Sequence, residues 1–492
     1  MTERIAIIGA GMGGLASALS LSQRPNLEVS VFEAADSPGG KMGVAHHQGV
    51  RFDTGPSLLT WPHSLDELLA DRGYALAEEL TLFQPDPVTR YRFPDGSSFE
   101  VHPSLEATGE SIRQNLGDQS AREFQGFMSY ARDIWEAASP YFIMGSAPTV
   151  LTPFSMGLKA IQAFRKIDST STMVGAIDQR ISDPRLKSVL LRYATFNGSD
   201  PREAPATLNC ITWVDMGLGG HGVVGGIYEI ALALERLAAD GGVRFHYGAP
   251  VRSIERRDGV FYLHLPDRQV SADRVIVNAD VRHLVDDLWS HSTPRKLSNA
   301  PPRSTSGWNA VLKARRRPAS RRAAHEVLFP DRPYIEEFGD LFDRHIPPTE
   351  PTVYLCAKEK AHRADGWTEH EPLFLMANAP PCTASSKPID WIRYEEKVLA
   401  RLRQSELIDE ADQVIWRRSP EDLAARFPGS QGSLYGAASN SKFSAFQRPA
   451  NSAPGIDGMY LASGSAHPGG GVPLCLQSGR QAATELLQDL PP

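Results

Sequence analysis

The stretch "IAIIGAGMGG", Ile5 to Gly14, decides the reading of this chain. An apolar run leads directly into a loop with glycine at Gly9, Gly11 and Gly14. In a GxGxxG loop the first glycine permits a tight strand-to-helix turn. The second lets the backbone approach a pyrophosphate, and the third lets the helix pack against the sheet. A helix N-terminus there offers unpaired N–H groups to phosphate oxygens. The pattern predicts strand Arg4–Ile8, helix Gly13–Ser22 and strand Glu28–Glu33. Glu33 falls 19 residues beyond Gly14, where an acid accepts from ribose hydroxyls. An acid there argues against a 2'-phosphate, so the loop reads as a dinucleotide site.

The next residues choose among dinucleotides. "SPGGKMG" adds a second glycine turn at Gly39 and Gly40 with a cation, Lys41, and "FDTGPSLL" follows closely. The chain closes on "LASGSAHPGGGVPLCLQSGR", Leu461 to Arg480, a strand, a glycine-rich loop and a helix. That places a second helix N-terminus against an electron-rich ligand. His46 and His47 read as an exposed hairpin rather than a ligand pair.

Bulk composition removes other classes. The 492 residues are 41% hydrophobic and 22% charged, which is globular composition. A net charge of -7 argues against nucleic-acid binding. Four cysteines without CxxC spacing predict reduced thiols and no metal site. No GxSxG elbow, Walker loop or HExxH helix occurs. No signal-peptide pattern precedes the glycine loop, so a cytoplasmic protein is expected.

With these motifs the chain resembles the bacterial phytoene desaturase family of FAD-dependent carotenoid desaturases. "RFDTGPSLLT", "FNGSDPREAPATL", "GGIYEIALALERLA", "GSLYGAASNSKFSAFQRP" and "HPGGGVPL" extend the likeness along nearly the whole length. "GGKM", "GSLYG" and "HPGGGVPL" are most similar to the hydroxycarotenoid 3,4-desaturase branch. The resemblance implies an α/β chain with a glutathione-reductase-type, Rossmann-like FAD-binding domain assembled from separated segments. An inserted α+β substrate domain and a helical membrane-facing segment complete the expected fold. The FAD-binding parts are expected at 1–103, 226–285 and 450–492, the helical segment at 104–192, and the substrate domain at 193–225 and 286–449. By family pattern the FAD contacts fall on Gly9, Gly11, Gly14, Glu33, Gly40, Lys41, Gly55, Pro56, Ser57, Val251, Gly464, Val472 and Pro473.

The implied reaction is hydride transfer from an acyclic carotenoid to flavin, with loss of a neighbouring proton. Asp200 and Asp215 are candidate proton acceptors or cation stabilisers, and His467 is a candidate base or positioning group. A phytoene desaturase, a carotenoid isomerase or terminal-methyl oxidase on the same fold, and a flavin amine oxidase remain as alternatives. The resemblance also implies peripheral attachment to the inner face of a membrane and an electron acceptor such as oxygen or quinone. The amphipathic stretch Pro148–Ile167, with Lys159, Arg165 and Lys166, fits a helix in the headgroup plane or a buried helix equally. "KARRRP", Lys313–Pro318, adds a basic run.

Overall fold

The computed structural model describes residues 2–148, 166–298, 301–383, 387–441 and 444–490. Pro148–Ile167, the stretch read as membrane-facing, lies almost wholly outside them.

Glu3–Ile8 forms the centre of a five-stranded parallel sheet. Its run Ile5, Ala6, Ile7, Ile8 is buried on both faces, as a strand covered by helices on each side requires. Leu27–Phe32 pairs on one side and Arg244–His246 beyond it. Arg274–Val277 pairs on the other side, followed by Met459–Leu461. The beginning and end of the chain therefore meet in one sheet. Over it the opening helix, Met12–Leu21, crosses the closing helix, Val472–Gln488, at backbone contact. A Cβ on Gly479 would lie 2.2 Å from the Gly13 carbonyl oxygen. The Ser17 hydroxyl donates to the Gly479 carbonyl at 3.0 Å across the same crossing.

A second, seven-stranded sheet runs in the order Gln413–Arg418, Ser306–Arg315, His370–Ala379, Val353–Ala357, His325–Leu328, Thr89–Arg92, Ser98–Val101. It is antiparallel except where His325–Leu328 meets Thr89–Arg92. The hairpin 89–101 thus pairs in the sheet built mostly from 306–418, not in the parallel sheet of the opening segment. The cause is long-range. Buried Glu326 accepts from Arg90 at 3.2 Å and Arg92 at 2.7 Å, while Tyr91 stacks on Phe329 at 6.2 Å. Helices Leu105–Leu116, Asp118–Phe142, Met173–Asp178 and Pro184–Arg192 pack against one edge of that sheet through Phe124, Phe127, Leu186 and Leu190.

Candidate active site

Glycine supplies the cradle. Gly9 has φ +98°, a conformation side chains rarely adopt, and its N–H donates to the Phe32 carbonyl at 2.8 Å. A Cβ on Gly14 would sit 2.0 Å from the Gly9 carbonyl oxygen, so this glycine serves close helix–strand packing. A Cβ on Gly11 would meet only the tip of the Asn278 side chain, at 2.7 Å. The second turn lies directly on the first. The Gly39 N–H donates to the Ala10 carbonyl at 2.8 Å, and a Cβ on Gly40 would stand 3.1 Å from Gly11 Cα. Gly55 closes the stack, since a Cβ there would be 2.5 Å from the Lys41 carbonyl oxygen.

The two helices that start in this region lack side-chain caps. The opening helix begins at Gly11 and the closing helix at Gly471, neither with a capping side chain. Ser104, Asp183, Asp390 and Ser419 cap helices elsewhere with side-chain oxygens, while Asp118–Phe142 and Glu229–Asp240 also start without one. Uncapped N-termini leave backbone donors for a ligand, which is the requirement of a dinucleotide.

Glu33 accepts from the Ala10 N–H at 2.6 Å and the Ala35 N–H at 2.8 Å. Each carboxylate oxygen keeps a second lone pair for ribose hydroxyls. Residues 246–249 run alongside, with Glu33 donating to His246 and Ala249 donating to Glu33, which sets half-buried Val251 near this acid. Lys41 reaches across to the "GSLYG" stretch, donating to the Ser433 and Leu434 carbonyls at 2.8 and 3.0 Å. Burial pulls its ammonium down to about 8, against the opposing field of Asp280. Arg448 donates to the Gly464 and Ala437 carbonyls, tying the closing glycine loop to the same stretch.

Lys41, Asp215, Tyr354, Tyr435, Arg448 and Cys475 lie deep, and burial is the leading cause of each of their pKa shifts. All six still keep some accessible surface.

Three acid–base candidates separate. Asp200 is fully engaged, accepting from its neighbour Arg202 through Nε, Nη2 and the backbone N–H. Asp215 is buried, which raises its pKa, and only one of its oxygens is bonded, to the Tyr193 hydroxyl at 2.7 Å. His467 contacts the Gly145 carbonyl through Nε2 at 3.0 Å, and burial lowers it to about 4. It is neutral at physiological pH and holds the chain just past the Asp118–Phe142 helix. His46 and His47 lie on the hairpin Val44–Asp53, with His46 exposed. Arg316 and Arg317 of the basic run are paired with Glu359 and Asp409.

A polar cluster invisible to sequence motifs adjoins Ser57. Lys358, 1% exposed, donates to the Ser57 hydroxyl at 3.1 Å. Tyr354 faces the same hydroxyl and bonds His325 Nδ1 at 2.7 Å. Burial holds His325 near 3 and His362 well below its ordinary value, so both rings are neutral. Their only sequence signal is polar residues within or directly after short apolar strands, as in "VYLCAKEKAH", where Lys358 and His362 lie on the short helix after the strand.

The family pattern described as flavin containing amine oxidoreductase matches residues 12–487. The hydroxyneurosporene desaturase of Rubrivivax gelatinosus is 32% identical over 99% of this chain and 94% of its own length. The 1-hydroxycarotenoid 3,4-desaturase of a Flavobacterium strain is 30% identical over 98% of each chain. A putrescine oxidase structure superposes with a TM-score of 0.64 at 15% identity over 99% of each chain, which concerns fold alone. Two stacked glycine turns, two uncapped helix ends and these whole-length matches agree: the chain belongs to the flavin-containing amine oxidoreductases, within their carotenoid desaturase family, and is an FAD-dependent oxidoreductase.

Proposed function

We propose that this enzyme desaturates an acyclic carotenoid that carries a tertiary hydroxyl at one end, introducing the 3,4 double bond. The observation that carries this reading is the 30–32% identity over nearly the full length to proteins named for that chemistry. A 4,4'-diapolycopene oxygenase of a Methylomonas strain, 30% identical over 99% of each chain, supports terminal oxidation as a second reading.

Bound FAD supplies the hydride acceptor. The chain's part is to hold the cofactor, orient the polyene and exclude water. Gly9, Gly11 and Gly14 with Gly40 would let the pyrophosphate approach the opening helix. Glu33 and the backbone at Val251 would take the adenosine half. The loop Gly55–Ser57, Gly464 and the start of the closing helix at Val472 and Pro473 would hold the flavin end. The inserted region around the seven-stranded sheet and the helical segment would enclose the polyene. Because such substrates dissolve in bilayers, the proposal extends to work at the cytoplasmic membrane surface. No helix among the described residues is long and apolar enough to cross a membrane.

Purified holoenzyme given a 1-hydroxylated acyclic polyene in liposomes should move the product's absorption bands to longer wavelength. Bands that stay in place with isomerised product, or an aldehyde at the chain end, would refute the desaturation.

The Lys41 ammonium gives a pH test of cofactor binding. With a pKa near 8 before an anion binds, Lys41 is charged below that pH and neutral above it. A bound pyrophosphate favours the charged form and raises that pKa. FAD affinity should therefore be flat below about pH 8 and fall by up to about tenfold per pH unit above it. Lys41→Met should bind FAD more weakly with no break near that pH. An unaltered break in the variant would assign the titration elsewhere.

A further inference from the structure

Resting on the hydroxycarotenoid reading above, we infer that Arg192 and Asp215 form the recognition site for the substrate's terminal hydroxyl. Arg192 is 8% exposed and has no carboxylate within ion-pair distance among the described residues. Its guanidinium lies 5.2 Å from the Phe196 ring and 5.6 Å from the Tyr354 ring, with the Tyr91, Tyr193 and Tyr334 side chains around it. The fully buried Arg322 shows what a structural guanidinium does. It has Glu371 at 2.7 Å and places its remaining donors on the carbonyls of Leu407 and Arg315. Arg192 has no carboxylate; the Tyr91 hydroxyl is its polar neighbour, and otherwise its fork of donors lies among rings. Beside it Asp215 presents the complementary group. The Tyr193 hydroxyl occupies Oδ2, while Oδ1 is buried with no partner among the described residues.

A tertiary alcohol is one donor and one acceptor. Its O–H matches Asp215 Oδ1, and its oxygen lone pairs match the Arg192 N–H groups. A plain hydrocarbon end would offer neither Asp215 Oδ1 nor the Arg192 fork a polar partner. The place in the fold fits the chemistry. The hydroxyl-bearing carbon of a 1-hydroxy polyene is two bonds from the carbon oxidised at the 3,4 position, so its pocket must adjoin the hydride acceptor. A pocket at the far end of a long channel would suit oxidation at mid-chain instead. Arg192 stacks on Tyr354, and Tyr354 faces Ser57 in the loop that packs on the second glycine turn. One tyrosine thus separates the guanidinium from the flavin-end loop.

The test is a competition between 1-hydroxylated and plain acyclic polyenes of equal length on FAD-loaded full-length enzyme in liposomes. The ratio of the two kcat/KM values is the readout, because damage to folding or to proton transfer lowers both alike. A site built around a hydroxyl rejects the analogue lacking it far more strongly than the roughly 10–200-fold that one methylene supplies. The wild type should prefer the hydroxylated substrate by more than about a hundredfold. Asp215→Asn keeps shape but removes the charged acceptor, and Arg192→Lys keeps charge but removes the fork. Each should reduce the ratio at least about tenfold. Tyr193→Phe, which deletes one oxygen and keeps the ring, should lower it in the same direction, and it serves if the charge changes prevent folding. An unchanged ratio in flavin-loaded variants overturns the inference, and with equal loss on both substrates it returns Asp215 to proton acceptance. A wild type that lengthens both polyenes equally overturns the recognition site and leaves the desaturase reading standing. A wild type that lengthens neither overturns both.

Discussion

Gly11→Val should purify as a folded, colourless protein. Gly11 has φ −73° and ψ 178°, a conformation valine adopts readily, and the nearest obstacle to its Cβ is the movable tip of Asn278. The fold therefore tolerates the change. The branched side chain, however, stands at the uncapped start of the opening helix, where phosphate oxygens would meet backbone N–H groups. Losing two such charge-assisted bonds, at about 1.5–3 kcal/mol each, weakens FAD binding by at least about a hundredfold. Flavin absorbance of the purified variant measures the loss, and its melting curve should show a cooperative fold. Gly14→Ala provides the contrast. Its Cβ would lie 2.0 Å from the Gly9 carbonyl oxygen, a backbone atom that cannot step aside, so stability should fall together with the flavin. A Gly11→Val protein that retains full flavin would place the pyrophosphate elsewhere.

Glu371→Gln should be the most damaging single substitution in the seven-stranded sheet. Arg322 and Glu371 are both 0% exposed, 2.7 Å apart, and Lys360 adds a second cation 3.0 Å from the same carboxylate oxygen. Removing the anion leaves a fully buried guanidinium without its counter-charge, which costs about 3–5 kcal/mol. The pair also bolts the turn at Arg322 to strand His370–Ala379 and to the Leu407 carbonyl, so there is no nearby solvent into which Arg322 can swing. Chemical denaturation followed by tryptophan fluorescence should show an earlier midpoint than in the wild type. A midpoint equal to the wild type would mean that Arg322 finds water after all.

The features legible in the sequence are those that depend on near neighbours. Glycine spacing at Gly9, Gly11 and Gly14 defines the first turn because only adjacent backbone atoms set its φ angles. The uninterrupted apolar run at Ile5–Ile8 announces a strand covered on both faces, and the five-stranded sheet has that strand at its centre. The hairpin at His46 and His47 is likewise a local matter of alternation and a glycine turn, although His47 is half-buried against Trp367.

Other features depend on partners hundreds of residues away. Thr89–Arg92 follows the nucleotide-binding opening in the chain, yet it pairs with His325–Leu328, because buried Glu326 needs Arg90 and Arg92 as counter-charges. Asp200 and Asp215 look alike in a sequence, and only their surroundings tell them apart. Arg202 satisfies the first entirely, whereas burial leaves one oxygen of the second without a partner. Lys358, Tyr354, His325 and Arg192 carry no motif at all. Sequence alone thus determined the glycine turns and the family resemblance, since both rest on backbone requirements that short-range spacing records. Tertiary structure alone decided which charged groups lie buried beside the loop at Ser57, because desolvation is a property of the whole packed interior and leaves no periodic trace along the chain.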